Sequence, residues 1–232
     1  MSFIKKIIPK RFKKVIKKLF GIKKPKKGKV FPGSKKYWEN RYKADRNSGP
    51  GSYGRLAAFK AKVINTFVKN NNIQLVIELG CGDGNQLKLS NYPTYIGFDV
   101  SETAVALCKK MFKDDATKSF YLMDDSLQQN IKAPLILSLD VLYHLIEDEV
   151  FNKYMYELFN RSLAYVIIYS SNYDDHFAAH VKCRKFTKWI ETNIDDSWKL
   201  TEVIKNEYPF DENDPNNTSM ADFYIYKKEI LS

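Results

Sequence analysis

The chain has 232 residues, of which 44% are hydrophobic and 33 are aromatic, enough to form the packed core of a globular domain. Its three cysteines lie far apart without a CxxC pair, which argues against a disulfide framework or a structural zinc site and indicates a reducing compartment. No apolar run reaches the roughly 18 residues of a membrane span, so we expect a cytoplasmic protein, and the formal net charge of +11 indicates an anionic partner.

The positive charge lies in an N-terminal arm, residues 1–36, which precedes the predicted domain, residues 37–232. The arm holds 15 of the 38 Lys and Arg residues and no Asp or Glu, which leaves the domain with a net charge of −4. From Pro9 to about Phe20 the apolar spacing predicts a basic amphipathic helix, and a Lys/Pro/Gly linker follows it. We expect the helix to bind an anionic membrane surface, so that the protein is peripheral at the inner membrane. Packing on protein and attraction to nucleic acid are the alternatives.

Beyond the arm, helices alternate with short apolar strands, which predicts an α/β fold: a doubly wound, Rossmann-like, mostly parallel sheet in a single domain. A glycine-rich stretch, residues 47–54, is interpreted as a mobile lid. A C-terminal antiparallel hairpin is expected to close the sheet. In chain order, the predicted elements are a helix at 56–68, strands at 73–79 and 95–100, a helix at 101–112, strands at 119–123 and 134–139, a helix at 148–161, a strand at 163–169, and the hairpin strands 199–206 and 222–227.

A glycine-rich turn follows the first predicted strand, with glycines at 80, 82 and 84. Alternate glycines permit positive φ angles and the close approach of a ligand. A dinucleotide fingerprint needs Gly-x-Gly-x-x-Gly, but Asn85 stands where the third glycine should be, which argues against NAD. Asp99 ends the next strand, where a carboxylate accepts both hydroxyls of a ribose. The combined pattern predicts a cofactor site at this edge of the sheet.

These segments resemble motif I of the class I S-adenosylmethionine-dependent methyltransferases, and the resemblance extends over most of residues 37–170. It implies S-adenosylmethionine as the cofactor and Asp99 as the ribose-binding acid. It also implies that Glu78 organises the site near the methionine moiety. The further cofactor contacts that it implies are the backbone at Gly80, Cys81 and Gly82, the adenine-binding acid Asp124 or its alternative Asp125, and Leu139 in the fourth-strand motif, residues 137–145.

Side chains near the start of the domain are further candidates for the cofactor site. Aromatic faces attract a sulfonium cation, and Trp38 is the main candidate, together with Tyr37, Tyr42 and Tyr53. Packing in the core is the alternative for each of them. Arg55 is a candidate to bind the cofactor carboxylate through two hydrogen bonds, with a surface position at a helix start as the alternative.

The candidate catalytic residues are Asp140, His144 and His180, with His176 also considered. All three histidines lie in the half of the chain that is expected to face the acceptor, and their ordinary pKa near 6.5 suits a general base. His176 and His180 could instead be a surface pair or metal ligands. Arg184 follows His180 at the same four-residue spacing, which indicates an acceptor that carries phosphate or carboxylate.

The acceptor is inferred from three further segments. Residues 37–38, 49–55 and 180–186 resemble a bacterial subgroup of the family found in capsule and surface-glycan biosynthesis. We therefore expect a transferase that O-methylates a phosphorylated, nucleotide-linked or lipid-linked precursor of capsule or lipopolysaccharide. The alternatives are an RNA or other nucleic-acid methyltransferase, for which the domain offers no basic groove, and a non-catalytic protein that binds S-adenosylmethionine.

Overall fold

The computed structural model describes residues 31–124 and 130–229. The predicted arm helix and Asp125 lie outside these residues. The helices, in chain order, are α1 (Ser34–Lys43), α2 (Gly54–Asn70), α3 (Glu102–Met111), α4 (Asp148–Asn160) and α5 (Phe186–Asn193). The strands are β1 (Leu75–Leu79), β2 (Thr94–Asp99), β3 (Lys118–Leu122), β4 (Ala133–Leu139), β5 (Ser162–Ser170), β6 (Asp175–Ala178), β7 (Val181–Cys183), β8 (Trp198–Ile204) and β9 (Asp222–Lys228).

Seven strands form the central sheet, in the order β3-β2-β1-β4-β5-β9-β8. Strands β1 to β5 are parallel, whereas β9 is antiparallel to both of its neighbours. From β1 the chain first winds toward β3 and then returns to continue at β4, so the switch point lies between β1 and β4. The doubly wound prediction is therefore confirmed, and ligands bind such sheets at the carboxyl edge beside the switch point.

Hydrophobic side chains cover both faces of the sheet. Neighbouring residues of β1 show this, because Val76 joins the core cluster that contains α2 and α3 residues, and Ile77 joins the cluster that contains α4 and α5 residues. Both side chains are fully buried. A parallel strand buried on both faces carries a continuous apolar run, which explains why the five parallel strands are readable in the sequence.

Three features differ from the sequence prediction. The C-terminal antiparallel pair is present, but β9 inserts between β5 and β8 after a long connection, residues 205–221. A second antiparallel pair, β6 and β7, was not predicted. Helix α1 begins at Ser34, inside the predicted linker.

No helix in the described part of the chain combines the length and the apolar character needed to cross a bilayer.

Candidate active site

Helix α1 lies across the carboxyl edge of the sheet and is held by hydrogen bonds at its start and near its middle. The backbone N–H and the hydroxyl of Ser34 donate to the two carboxylate oxygens of Glu147 at 2.9 and 2.5 Å. Farther along the helix, Glu39 accepts hydrogen bonds from the hydroxyls of Ser101 and Thr103 at 2.5 and 2.8 Å. Contacts with the rest of the domain therefore begin at Ser34, within the predicted arm.

A cavity of about 550 Å³ lies beneath α1, at the carboxyl ends of β1, β2 and β4. Most of the predicted cofactor and catalytic residues line it, although they come from four separate parts of the chain. They are Trp38, Glu78, Gly80, Cys81, Gly82, Asp99, Leu139, Asp140 and His144.

The glycine-rich turn is shaped by close contacts within the protein. Gly80 and Gly82 both have positive φ angles, of 90° and 59°. A Cβ atom on Gly80 would overlap Val141, and one on Gly82 would overlap the Ser48 hydroxyl. The two glycines are thus required by neighbouring side chains as well as by their backbone conformation, a reason that the sequence does not reveal.

Two buried carboxylates lie at the ends of adjacent strands. Glu78 accepts a hydrogen bond from the Tyr95 hydroxyl at 2.7 Å, and Asp99 accepts from the backbone N–H groups of Gly82 and Ser101, both at 2.9 Å. Burial raises the pKa of Glu78 to about 7 and that of Asp99 to about 6, against the opposing effect of these hydrogen bonds. Because the pKa of each carboxyl group is raised in the folded protein, the free energy of unfolding falls as pH rises from the ordinary carboxyl pKa to these values and the groups ionise. A ligand that donates hydrogen bonds or carries positive charge would offset this cost.

Asp140 follows β4 and holds an unusual conformation for a residue with a side chain, with φ of 62°. Its carboxylate accepts hydrogen bonds from the Lys60 ammonium and the Tyr143 hydroxyl, both at 2.6 Å. The Lys60 side chain is only 1% exposed, so this is a buried ion pair that joins α2 to the end of β4. Left-handed strain in a residue held by several partners is typical of a functional position.

Lys60 was not singled out in the sequence, although a signal was present. It is four residues from Leu56 and four from Ile64, on the buried face of α2. A lysine at such a position needs a carboxylate partner inside the fold.

The glycine-rich segment 47–54, predicted to be a lid, is bonded to the turn after β1. Asp83 accepts hydrogen bonds from the backbone N–H of Ser48 and the hydroxyl of Tyr53, both at 2.8 Å. On the other side of the segment, Gly51 approaches the Asp140 carboxylate so closely that an added Cβ atom would lie 2.7 Å from it. The segment therefore connects the cofactor side of the site with Asp140.

His144 lies in the wall of the cavity, with its ring 4.8 Å from that of Trp38 and edge-on to it. Its Nδ1 lies 3.0 Å from the His180 carbonyl oxygen. Because a carbonyl only accepts, Nδ1 carries the proton and the lone pair is on Nε2. Burial is the main cause that lowers the pKa of His144 to about 4, so this histidine is neutral at physiological pH.

A second cavity, of about 180 Å³, shares a wall with the first. Five residues line both cavities: Trp38, Ser48, Ser52, Asp140 and His144. Tyr37 and His180, whose rings stack at 4.6 Å, line only the second cavity. Asp140 and His144 thus stand between two adjacent spaces, an arrangement suited to a reaction between two bound molecules.

Other predicted site residues lie elsewhere. Arg55 does not reach the cavity, because its guanidinium pairs with Asp214 at 3.0 Å and donates to the Asn217 carbonyl at 2.6 Å; its predicted cofactor role is wrong. Asp124 pairs with Lys35 at 2.7 Å, with both side chains more than half exposed. Lys35 lines the first cavity and Asp124 does not, so the adenine contact of Asp124 remains a prediction.

The four-residue spacing from His176 to Arg184 does not define one face. His176 lies on β6 and is exposed, whereas His180 lies in the turn before β7. Arg184 pairs with Asp148 at 2.7 Å and donates to two backbone carbonyls, those of Leu145 and Ile146. Arg184 thus supplies no cation to the acceptor side. Among the described residues, no cluster of three or more His, Cys, Asp or Glu side chains is arranged to hold a metal ion.

The carboxylates and the aromatic ring that line the first cavity fit S-adenosylmethionine. Glu78 and Asp99 supply acceptors for its ammonium and ribose groups, and Trp38 supplies an aromatic face for a sulfonium. Gln86, which sequence reasoning missed, also lines the cavity and is buried. Within the described part of the chain, its Oε1 atom has no hydrogen-bond partner. A buried amide oxygen of this kind suits a donor from a ligand.

No protein-family model matches the sequence, and no curated protein is found that matches it. Among solved structures, the chain is similar to magnesium protoporphyrin IX methyltransferase from Synechocystis with bound SAM, with a TM-score of 0.63 and 14% identity over 88% of this chain and 100% of that one. It is similar to the N-methyltransferase NodS from Bradyrhizobium japonicum in complex with S-adenosyl-L-homocysteine, with a TM-score of 0.61 and 14% identity over 84% of this chain and 98% of that one. For the methyltransferase domain of bacterial CtHen1 the TM-score is 0.55, with 19% identity over 74% of this chain and 98% of that one. At such low identities the likeness shows the fold, and this chain has the Rossmann-like fold of the class I SAM-dependent methyltransferases.

Proposed function

We propose that this protein is a methyltransferase that uses S-adenosylmethionine. The main support is one arrangement: Glu78 and Asp99 face a cavity at the switch point, and Asp140 and His144 separate that cavity from a second one. The three similar structures described above are methyltransferases, two of them with SAM or S-adenosyl-L-homocysteine bound. When bound, S-adenosylmethionine would supply the methyl group of its sulfonium to a nucleophile of the acceptor, and S-adenosylhomocysteine would be the leaving product.

The chain itself has three tasks in such a reaction. It aligns the two molecules, excludes water and takes up the proton of the acceptor. Alignment falls to the two cavities and their shared wall, to which α1 contributes Trp38 and segment 47–54 contributes Ser48 and Ser52. The Lys60–Asp140 ion pair holds the end of β4 in its left-handed conformation and thereby fixes the wall.

His144 is the general base that we favour for a hydroxyl acceptor. Nε2 of the neutral His144 carries the lone pair that can accept a proton, and the Asp140 carboxylate forms an ion pair with Lys60 and accepts a hydrogen bond from Tyr143. A base with a pKa of about 4 is weak, but an oxygen that has just accepted a methyl group is a strong acid. His144 can therefore take the proton as the methyl group transfers, and Asp140 acts as a positioning residue.

Replacement of His144 by alanine is expected to lower kcat by about 10²- to 10⁴-fold, the usual contribution of a general base, with a much smaller effect on S-adenosylmethionine affinity. His180→Ala is the matched control, because it retains the backbone carbonyl that orients His144 and should lose less activity. Single-turnover transfer of a labelled methyl group measures both. Full turnover by His144→Ala would mean that alignment alone drives the reaction.

For the acceptor, we propose a hydroxyl of a phosphorylated or otherwise activated glycan precursor of capsule or lipopolysaccharide. The support is that the three segments with the surface-glycan resemblance, residues 37–38, 49–55 and 180–186, contribute lining residues to the second cavity. The basic arm favours RNA as the alternative, since the same charges attract phosphates. Incubation with labelled S-adenosylmethionine and fractionated extract separates the candidates. We expect label in glycan material; label in RNA would support the alternative, and binding without transfer would indicate a non-catalytic protein.

We further propose that the arm binds an anionic membrane surface. Residues 32–36 line the first cavity, so the variant that tests the arm is a deletion of residues 1–30. This deletion is expected to abolish co-sedimentation with anionic vesicles and to leave S-adenosylmethionine affinity unchanged, because both the apolar stripe and most of the lysines are removed.

Two controls make the vesicle assay specific. Binding of the full chain should weaken between 0.1 and 1 M salt, as the Debye length falls from about 10 to about 3 Å. Replacement of Phe12, Ile16 and Leu19 by serine keeps every charge and removes the insertion contribution. Equal sedimentation of the deletion variant and the full chain would contradict the proposal.

A further inference from the structure

The second cavity contains an arginine that the proposed mechanism does not use. Arg41, on α1, is half-buried and lines this cavity but not the first one. Its Nε donates to the Asn47 carbonyl at 2.7 Å, and its guanidinium carbon lies 5.6 Å from the centre of the Trp38 ring. These two contacts fix the orientation of the guanidinium plane.

The charge of Arg41 is not neutralised by a carboxylate in the described part of the chain, where no acidic oxygen lies within 4.0 Å of it. The other arginines that contribute to packing each have such a partner: Arg55 pairs with Asp214, Arg161 with Glu157 and Arg184 with Asp148. A guanidinium that is partly removed from water and lacks a counter-charge gains further stability from an anion that binds to it. Its planar N–H groups match the oxygens of a carboxylate or a phosphate.

The size and the walls of the cavity restrict what accompanies the anion. At about 180 Å³, it is smaller than the roughly 300 Å³ at which pockets for drug-sized ligands begin. The stacked rings of Tyr37 and His180 give it a flat aromatic side, and His144 lies in the wall that it shares with the first cavity. One small ring or a terminal group fits such a space, and a polymer segment does not.

We propose that Arg41 binds an oxyanion, a carboxylate or a phosphate, of the methyl acceptor within the second cavity. This inference rests on the proposed function and adds to it the class of acceptor: a small molecule or terminal group with an anionic substituent. Arg41 is then the residue that selects the acceptor, and His144 receives the proton from the acceptor hydroxyl. Burial and then the charge of His180 lower the pKa of His144, and the charge of Arg41 is a smaller cause in the same direction that a bound oxyanion would compensate.

The test measures binding of two probes to the full chain in the presence of S-adenosylhomocysteine: inorganic phosphate by phosphorus NMR and benzoate by proton NMR. At least one probe is expected to bind saturably, and the stronger one identifies phosphate or carboxylate as the substituent. Arg41→Gln should weaken that binding about tenfold to a hundredfold, the range for hydrogen bonds to charged groups. Arg46→Gln is the matched control, since Arg46 is exposed and lines neither cavity.

The affinity for S-adenosylhomocysteine distinguishes a failure of the oxyanion site from a failure of the proposed function. Arg41→Gln should bind S-adenosylhomocysteine as the wild type does, because Arg41 does not line the first cavity. If the wild type binds S-adenosylhomocysteine but neither probe, or if Arg41→Gln binds the probe as tightly as Arg46→Gln, the oxyanion site is wrong. If the wild type fails to bind S-adenosylhomocysteine, the proposed function itself is wrong.

Discussion

Lys60→Met is expected to destabilise the protein by about 3 kcal/mol, the lower part of the range for breaking a buried ion pair. The substitution keeps the side-chain volume but leaves the Asp140 carboxylate, only 16% exposed, without its ammonium partner. The lower part of the range applies because Asp140 retains some contact with solvent and a hydrogen bond from Tyr143. The midpoint of urea unfolding measures the effect.

Two variants control this experiment. Lys62→Met, two residues away, removes a lysine that pairs with Glu207 on the exposed surface and should leave the midpoint unchanged. The double variant Lys60→Met with Asp140→Asn removes both charges and should recover much of the lost stability. Equal midpoints for Lys60→Met and the wild type would mean that the pair does not anchor the end of β4.

Asp99→Ala is expected to weaken S-adenosylmethionine binding by about 1–3 kcal/mol, because the ribose hydroxyls lose a charged acceptor. The effect should depend on pH. Since the pKa of Asp99 is raised to about 6, wild-type affinity should fall as pH drops from 8 to 5 and the carboxylate takes up a proton.

Asp99→Asn should bind weakly at pH 8 and lose the part of the pH dependence that is centred near 6. The part from Glu78 should remain in this variant but move to lower pH, because the Asp99 charge helps to raise the pKa of Glu78. Calorimetric titration across the pH range provides the measurement, with Asp114→Ala as a control at an exposed carboxylate. Asp99 would be excluded from the site if Asp99→Ala bound S-adenosylmethionine as tightly as the control.

The fold was predictable because its parallel strands are buried on both faces. Val76 and Ile77 are both fully buried, and only a sheet covered by helices on each side needs such continuous apolar runs. The glycines after β1 and the acid at the end of β2 then located the site. Elements without such a pattern were missed: α1 buries only Ser34 and Tyr42, too few to leave a periodic signal.

The site residues that sequence reasoning misplaced are those whose role depends on a distant partner. Arg55 contacts Asp214, 159 positions away, and no local pattern reveals that pairing. The helical spacing from His176 to Arg184 was misleading, because the segment forms two short strands. Lys60, by contrast, was detectable as a charge on an apolar stripe, and its partner Asp140 was already a candidate.

The most direct test of the central claim is a calorimetric titration of the full chain with S-adenosylmethionine, S-adenosylhomocysteine and NAD. The first cavity presents carboxylates for a ribose and an ammonium group, and the glycine spacing lacks the third glycine of a dinucleotide site. We expect both adenosyl ligands to bind in the micromolar range, with a binding free energy of about −8 kcal/mol, and NAD not to bind. Binding of NAD without binding of either adenosyl ligand would contradict the assignment.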